Sequence, residues 1–191
     1  GADESITAQS GNGTLHFAAR SGSVPSLKVL LRSKAAGGVD RTNRNGATPL
    51  MFAASAGPAP CVIALLEHGA EPARGNRNGT TALHCAATAG VVDALVAGAK
   101  ATPASVLDAV DAHGNSALHS AAKRGDASLC RALLDAGANQ RAVNKRGKTP
   151  LQLATDAKSE GEAMPLLRAR WEALEEASRL AADQLVLEDE A

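Results

Sequence analysis

Apolar and polar positions along the chain fall into a rhythm. Alanine pairs recur at Ala18-Ala19, Ala53-Ala54, Ala86-Ala87 and Ala121-Ala122. Each pair follows a leucine (Leu15, Leu50, Leu83, Leu118) and precedes a glycine (Gly22, Gly57, Gly90, Gly125). The glycines that open these runs sit at 11, 46, 79 and 114, and a fifth run opens at 147, so the steps are 35, 33, 35 and 33. A period of this size means stacked supersecondary units, each too thin to bury its own apolar face.

Within a unit the pattern predicts two short helices. In the first, these are Thr14 to Ser21 and Ser23 to Ser33, with Leu27, Val29, Leu30 and Leu31 as the buried side of the second. In the second unit Thr48 is placed to cap a helix that Pro49 opens, since proline lacks the N–H that would go unpaired there. That helix runs to about Ser55, and Gly57 supplies the positive φ that ends it. A second helix, about Ala59 to His68, follows the Pro58-Ala59-Pro60 turn. The unit from His113 to Arg146 is the most regular. Beyond Gly161, Leu167, Trp171, Leu174, Ser178, Ala181 and Leu185 step by 4, 3, 4, 3 and 4, which is one stripe on a long helix. Two roles are open for it: a cap over the end of the stack, or a projecting half that pairs with another helix.

The Gly-x-Thr-Pro-Leu-His-x-Ala-Ala-x-x-Gly run, followed by Leu-Leu and then Gly-Ala, resembles the ankyrin repeat. The best endings are Leu65-Leu66-Glu67-His68-Gly69-Ala70 and Leu133-Leu134-Asp135-Ala136-Gly137-Ala138. The resemblance covers residues 11–157. It implies an all-α solenoid of helix-turn-helix units with short hairpin fingers and a long C-terminal capping helix. The expected division is a flexible segment over 1–10, repeats over about 11–45, 46–78, 79–113, 114–146 and 147–162, and an acidic helix and tail over 158–191. The alanine pairs should lie where helices of neighbouring repeats touch, so that Ala54→Leu or Ala87→Leu would overpack the interface. Two departures stand out. Lys34 to Gly38 makes a longer loop than the pattern, and the third repeat has Gly98-Ala99 where Leu-Leu is expected. Its second helix should therefore be short or interrupted, with an added turn around Pro103.

The resemblance also gives His16, His84 and His119 a structural role, bonding neighbouring backbone and tying one turn to the next. A metal reading would combine His84, Cys85, His119 and Cys130, but Met51 and Gln152 fill the same slot in the other repeats and break the row. The cysteines sit at small apolar positions, where a buried thiol behaves as a small hydrophobe.

Composition sharpens this picture. Aromatics make up 2% of the chain and tyrosine is absent, so the core must be built from Ala and Leu. Net charge is zero but uneven, with 16 Lys+Arg against 11 Asp+Glu in 1–157 and 4 against 9 in 158–191. Three cysteines without paired spacing point to a reducing compartment, cytoplasmic or nuclear. No signal peptide is visible and no apolar run of about 18 residues occurs, so membrane insertion is not expected. No phosphate loop, nucleophile elbow or His-Glu-x-x-His motif occurs, so no catalytic residue, cofactor or metal site is assigned.

By the resemblance, the fingers and the pair of residues after each Ala-Ala face the concave surface. The candidate partner-binding residues are Arg20, Arg41, Arg44, Ser55, Arg74, Arg77, Thr88, His113, Lys123, Arg124, Lys145 and Arg146. Arg44, Arg77 and Lys145 share one finger slot, which Ala112 and His113 interrupt in the third finger. The expectation is a non-catalytic interaction module for a protein partner, with an acidic peptide or surface as the chemistry that suits basic fingers. Leu167, Trp171 and Leu174 offer a second, helix-mediated contact. Two alternatives stay open: a nucleic-acid-binding accessory module, disfavoured by the neutral total and scarce aromatics, or the targeting domain of a larger enzyme.

Overall fold

The computed structural model describes residues 10–33, 37–99, 103–156 and 162–189, with side chains through Leu180 except Ser178. The expected N-terminal segment up to residue 9 and the loop residues 34–36 and 100–102 lie outside what is described, as do the side chains at positions 178, 181 and 185 of the C-terminal stripe. Ten helices occur among the described residues: α1 (Thr14–Ser21), α2 (Val24–Arg32), α3 (Pro49–Ala56), α4 (Ala59–Glu67), α5 (Ala89–Ala97), α6 (Pro103–Leu107), α7 (Ala117–Arg124), α8 (Ala127–Asp135), α9 (Pro150–Asp156) and α10 (Ala163–Asp189).

They form two rows. Inner helices pack as α1 on α3 and α7 on α9; outer helices run α2, α4, α5 and α8, and α10 closes the end against α8 and α9. Capping follows the sequence closely. The Thr48 hydroxyl accepts the Met51 N–H at 3.4 Å, Pro49 is the first helical residue, and Gly57 ends α3 at φ 100°. Asp126 caps α8 by accepting the Leu129 N–H at 3.0 Å.

The core is made of small residues where the rows meet. Ala19, Ala53, Ala54, Ala121 and Ala122 are all fully buried, so the inner helices approach almost backbone to backbone. On α2 only Leu27 is fully buried; Val29 is 69% exposed and belongs to the surface, against the sequence expectation.

The third repeat has the expected added turn at Pro103, as α6, but otherwise departs from the sequence expectation. Its outer helix α5 has nine residues, as do α2, α4 and α8. What is missing is the inner helix: residues 82–85 form tight turns, with the Cys85 N–H donating to the Ala82 carbonyl and the Ala86 N–H to the Leu83 carbonyl. The cause is a register shift. Cys61, Val62 and Leu65, the buried face of α4, lie 4, 5 and 8 residues after Gly57. Their counterparts Val91, Val92 and Leu95 lie 1, 2 and 5 after Gly90, so the apolar set comes three residues early. Burying it pulls the outer helix forward, absorbs Gly90 into α5 and leaves too little chain for an inner helix and its turn. Ala87 is consequently exposed, and the overpacking argument holds for Ala54 and not for Ala87.

Candidate functional site

Each finger is built by an Asn or Asp that the charge-centred sequence reading missed. The Asn43 side-chain oxygen accepts the N–H groups of Asn45 and Ala47, both at 2.9 Å. Asn76, Asp111 and Asn144 do the same for their fingers. The signal was present: an Asn or Asp three residues before each leading glycine from Gly46 on. Such side-chain turns fix the finger tip without help from a sheet. Burial works against the Asp111 carboxylate, yet the donors from Asn115 and His113 outweigh it and hold its pKa below the ordinary carboxylate value.

One backbone hydrogen bond joins each tip to the previous one. The Arg77 N–H donates to the Asn45 carbonyl at 3.1 Å, the Ala112 N–H to Asn78 at 2.7 Å, and the Lys145 N–H to His113 at 3.0 Å. Arg44 makes the equivalent bond to Ser10. Close approach requires glycine: a Cβ on Gly46, whose φ is 76°, would lie 2.9 Å from the Arg77 backbone nitrogen. This ladder places Arg44, Arg77, Ala112 and Lys145 at one register, so three of the four rungs are basic.

Behind the tips, the histidines bind repeat to repeat. His16 donates from Nε2 to the Ala47 carbonyl at 3.0 Å, His84 to Asn115 at 2.8 Å and His119 to Lys148 at 3.0 Å. In each ring Nδ1 accepts a backbone N–H three residues earlier. Both nitrogens are occupied, and burial lowers the pKa of all three rings. Gln152 performs half of this task in the fifth repeat, where its Oε1 accepts the Thr149 N–H at 2.9 Å.

All twelve sequence-selected residues are exposed. Arg44, Arg77 and Lys145 come together in the ladder, and His113 stands beside its non-basic rung. Arg20 and Ser55 line one hollow on the inner face. Arg41 and Arg74 begin their fingers, Arg146 flanks Lys145, and Lys123 lies in the last turn of α7. Two have internal tasks. Arg124 extends its guanidinium to the carbonyls of His84 and Ala86, each at 3.3 Å, and so satisfies the segment that lacks a helix. The Thr88 hydroxyl donates to the Gly57 carbonyl at 3.2 Å. The chain's two phenylalanines, Phe17 exposed and Phe52 partly buried, were not among the residues selected from the sequence. Phe17 and Phe52 occupy one slot in successive repeats, immediately after His16 and Met51, and Phe17 is 40% exposed.

The C-terminal stripe divides along α10. Ala163 and Leu167 are buried against the stack, Trp171 is half-buried with the Arg141 guanidinium 5.3 Å from its ring centre, and Leu174 is exposed. The acidic end of the chain continues in this helix, which packs on α8 and α9. No helix among the described residues is long and apolar enough to cross a membrane.

A family model described as ankyrin repeats (3 copies) matches residues 15–105 and 91–170. Short stretches are similar to curated proteins. Over 47 residues the chain is 51% identical to a transient receptor potential cation channel subfamily A member 1 homolog of Caenorhabditis elegans, covering 25% of this chain and 4% of that protein. It is 48% identical over 58 residues to the ankyrin repeat protein nuc-2 of Neurospora crassa, covering 30% and 5%. It is 43% identical over 56 residues to diacylglycerol kinase iota of Mus musculus, covering 29% and 5%. The matched stretches thus span about one twentieth of these relatives.

Proposed function

Because the chain belongs to the ankyrin repeat family, an all-α repeat solenoid, we propose that it binds an acidic segment of a partner protein through the face shared by its fingers and inner helices. Ankyrin repeats are in general non-catalytic protein–protein interaction modules, and that coarse role carries over with the family. The finer reading is supported by one observation above all: the tip-to-tip backbone ladder holds Arg44, Arg77 and Lys145 in a single row. Arginine forks suit carboxylates in a bidentate geometry. A row fixed by backbone bonds and buried histidines needs little ordering on binding, which leaves more of the contact energy as affinity.

The test is panning of a displayed random-peptide library on the chain and on an Arg44→Glu/Arg77→Glu/Lys145→Glu variant, both first shown folded by circular dichroism. Peptides rich in Asp and Glu should be enriched on the parent chain and lose at least about tenfold in affinity on the variant, the size expected when interfacial charge pairs are reversed. Enrichment of neutral or basic peptides, or equal binding to both chains, would reject the basic row as the contact.

A further inference from the structure

We propose that the hollow between α1, α3 and the second finger receives one large apolar side chain, such as Leu, Met or Phe, carried between acidic residues on the partner segment. This rests on the reading above and adds to it the chemistry of an anchor.

The hollow measures about 510 Å³, within the range of sites that hold small ligands or side chains. Met51, Phe52 and Cys85 give it an apolar lining, and Arg20, Ser55 and Asn76 contribute polar groups. Its main wall is fixed. The Phe52 ring meets the edge of His16 at 5.3 Å and 81°, and His16 is itself held at both nitrogens. An aromatic wall locked by its neighbours can bury an incoming side chain without losing its own freedom.

Charge selects what flanks the anchor. Residues 10–90 contain eight Lys+Arg and three Asp+Glu. Of those three acids, Asp40 accepts the Glu71 N–H and Glu67 ends α4 in the outer row. Arg20 lines the hollow, and exposed Arg77 follows Asn76 in the chain. The hollows of the outer row differ. The one between α5 and α8 mixes Asp93 and Asp135 with Arg131, and the one between α4 and α5 carries Glu67 and Asp93, so neither favours an acidic guest. The slot filled by Phe17 and Phe52 becomes Cys85, Ser120 and Leu153 in later repeats, so an aromatic side chain occupies it only in the first two.

Hits from the panning, made as fluorescent peptides, provide the test. Each is compared with an analogue whose apolar residue is Ala and with one whose Asp and Glu are Asn and Gln. Binding is measured to the parent chain, to Phe52→Ala and to Ser55→Trp, which fills the hollow from an exposed position and leaves the core untouched. A separate readout is N-ethylmaleimide labelling located by mass spectrometry, because Cys85 is half-buried in the hollow while Cys61 and Cys130 are fully buried. The expected result is about tenfold weaker binding for the Ala analogue and for Ser55→Trp, as for a truncated anchor at a protein interface, with Cys85 shielded by the bound peptide. If acidic peptides bind and respond to Arg44→Glu/Arg77→Glu/Lys145→Glu, but tolerate loss of the apolar residue and leave Cys85 unshielded, the anchor is overturned and the basic row stands. If no acidic peptide is retained, both are overturned.

Discussion

His16, His84 and His119 each accept at Nδ1 one hydrogen bond that protonation would destroy, while the Nε2–H donation to a carbonyl would remain. An imidazolium carries a proton on Nδ1, where the ring now accepts the N–H of Gly13, Thr81 or Ser116. Their folded pKa values lie below the ordinary 6.5 because of burial. The unfolded chain therefore binds more protons as pH falls, and stability moves in one direction. It is fully present above about pH 6.5 and is lost progressively as pH drops towards the folded values. Urea midpoints should accordingly rise from pH 5 to pH 7. In His119→Gln the rise should shrink, because Gln keeps the acceptor for the helix start, as Gln152 does, and does not titrate. An unchanged pH slope in that variant would show that this ring contributes nothing to it.

At the scale of elements, the third repeat shows how hydrophobic register overrides a local motif. Thr81-Ala82-Leu83-His84-Cys85-Ala86-Ala87 matches the other inner helices nearly residue for residue, yet it does not wind into a helix. The early placement of Val91, Val92 and Leu95 takes the chain it needs. Inserting Asp-Pro-Ala between Gly90 and Val91 would restore the spacing of Gly57 to Cys61. Far-UV circular dichroism should then gain the signal of about two helical turns, roughly 7 residues, and no gain would mean that the segment is unwound for another reason. The motif period, the caps at Thr48 and Gly57 and the shared slot of Arg44, Arg77 and Lys145 were legible from residue spacing, whereas the backbone bonds between finger tips were not. The missing helix was legible only by counting from each glycine to its apolar triplet, because the absent Leu-Leu at 98–99 marked a shift of the outer helix rather than its shortening. Phe17 and Phe52 went unread because the sequence alone does not show which way each ring faces, and the packed repeats leave Phe17 exposed and Phe52 partly buried.

Across the whole molecule, stability is a sum of interfaces between neighbours, closed at the C-terminal end by α10. Ala163 and Leu167 supply that closure, while Leu180 on the same helix is 63% exposed. Leu167→Ala should cost about 2–5 kcal/mol, the usual range for a buried leucine, and Leu180→Ala less than about 0.5 kcal/mol, as for a surface change. Chemical denaturation of the two variants measures the contrast, and equal losses would show that the far part of α10 is also covered.

The interrupted inner row has a mechanical consequence. Outer helices form an unbroken run from α2 to α8, whereas the inner row is two blocks, α1–α3 and α7–α9, with turns between them. The molecule is a leaf spring notched on one side. Bending concentrates at the notch, where Arg124 acts as the tie across it. A guest spanning from Arg44 to Lys145 must set that one angle, so its grip on the two ends and the curvature of the spring become the same variable.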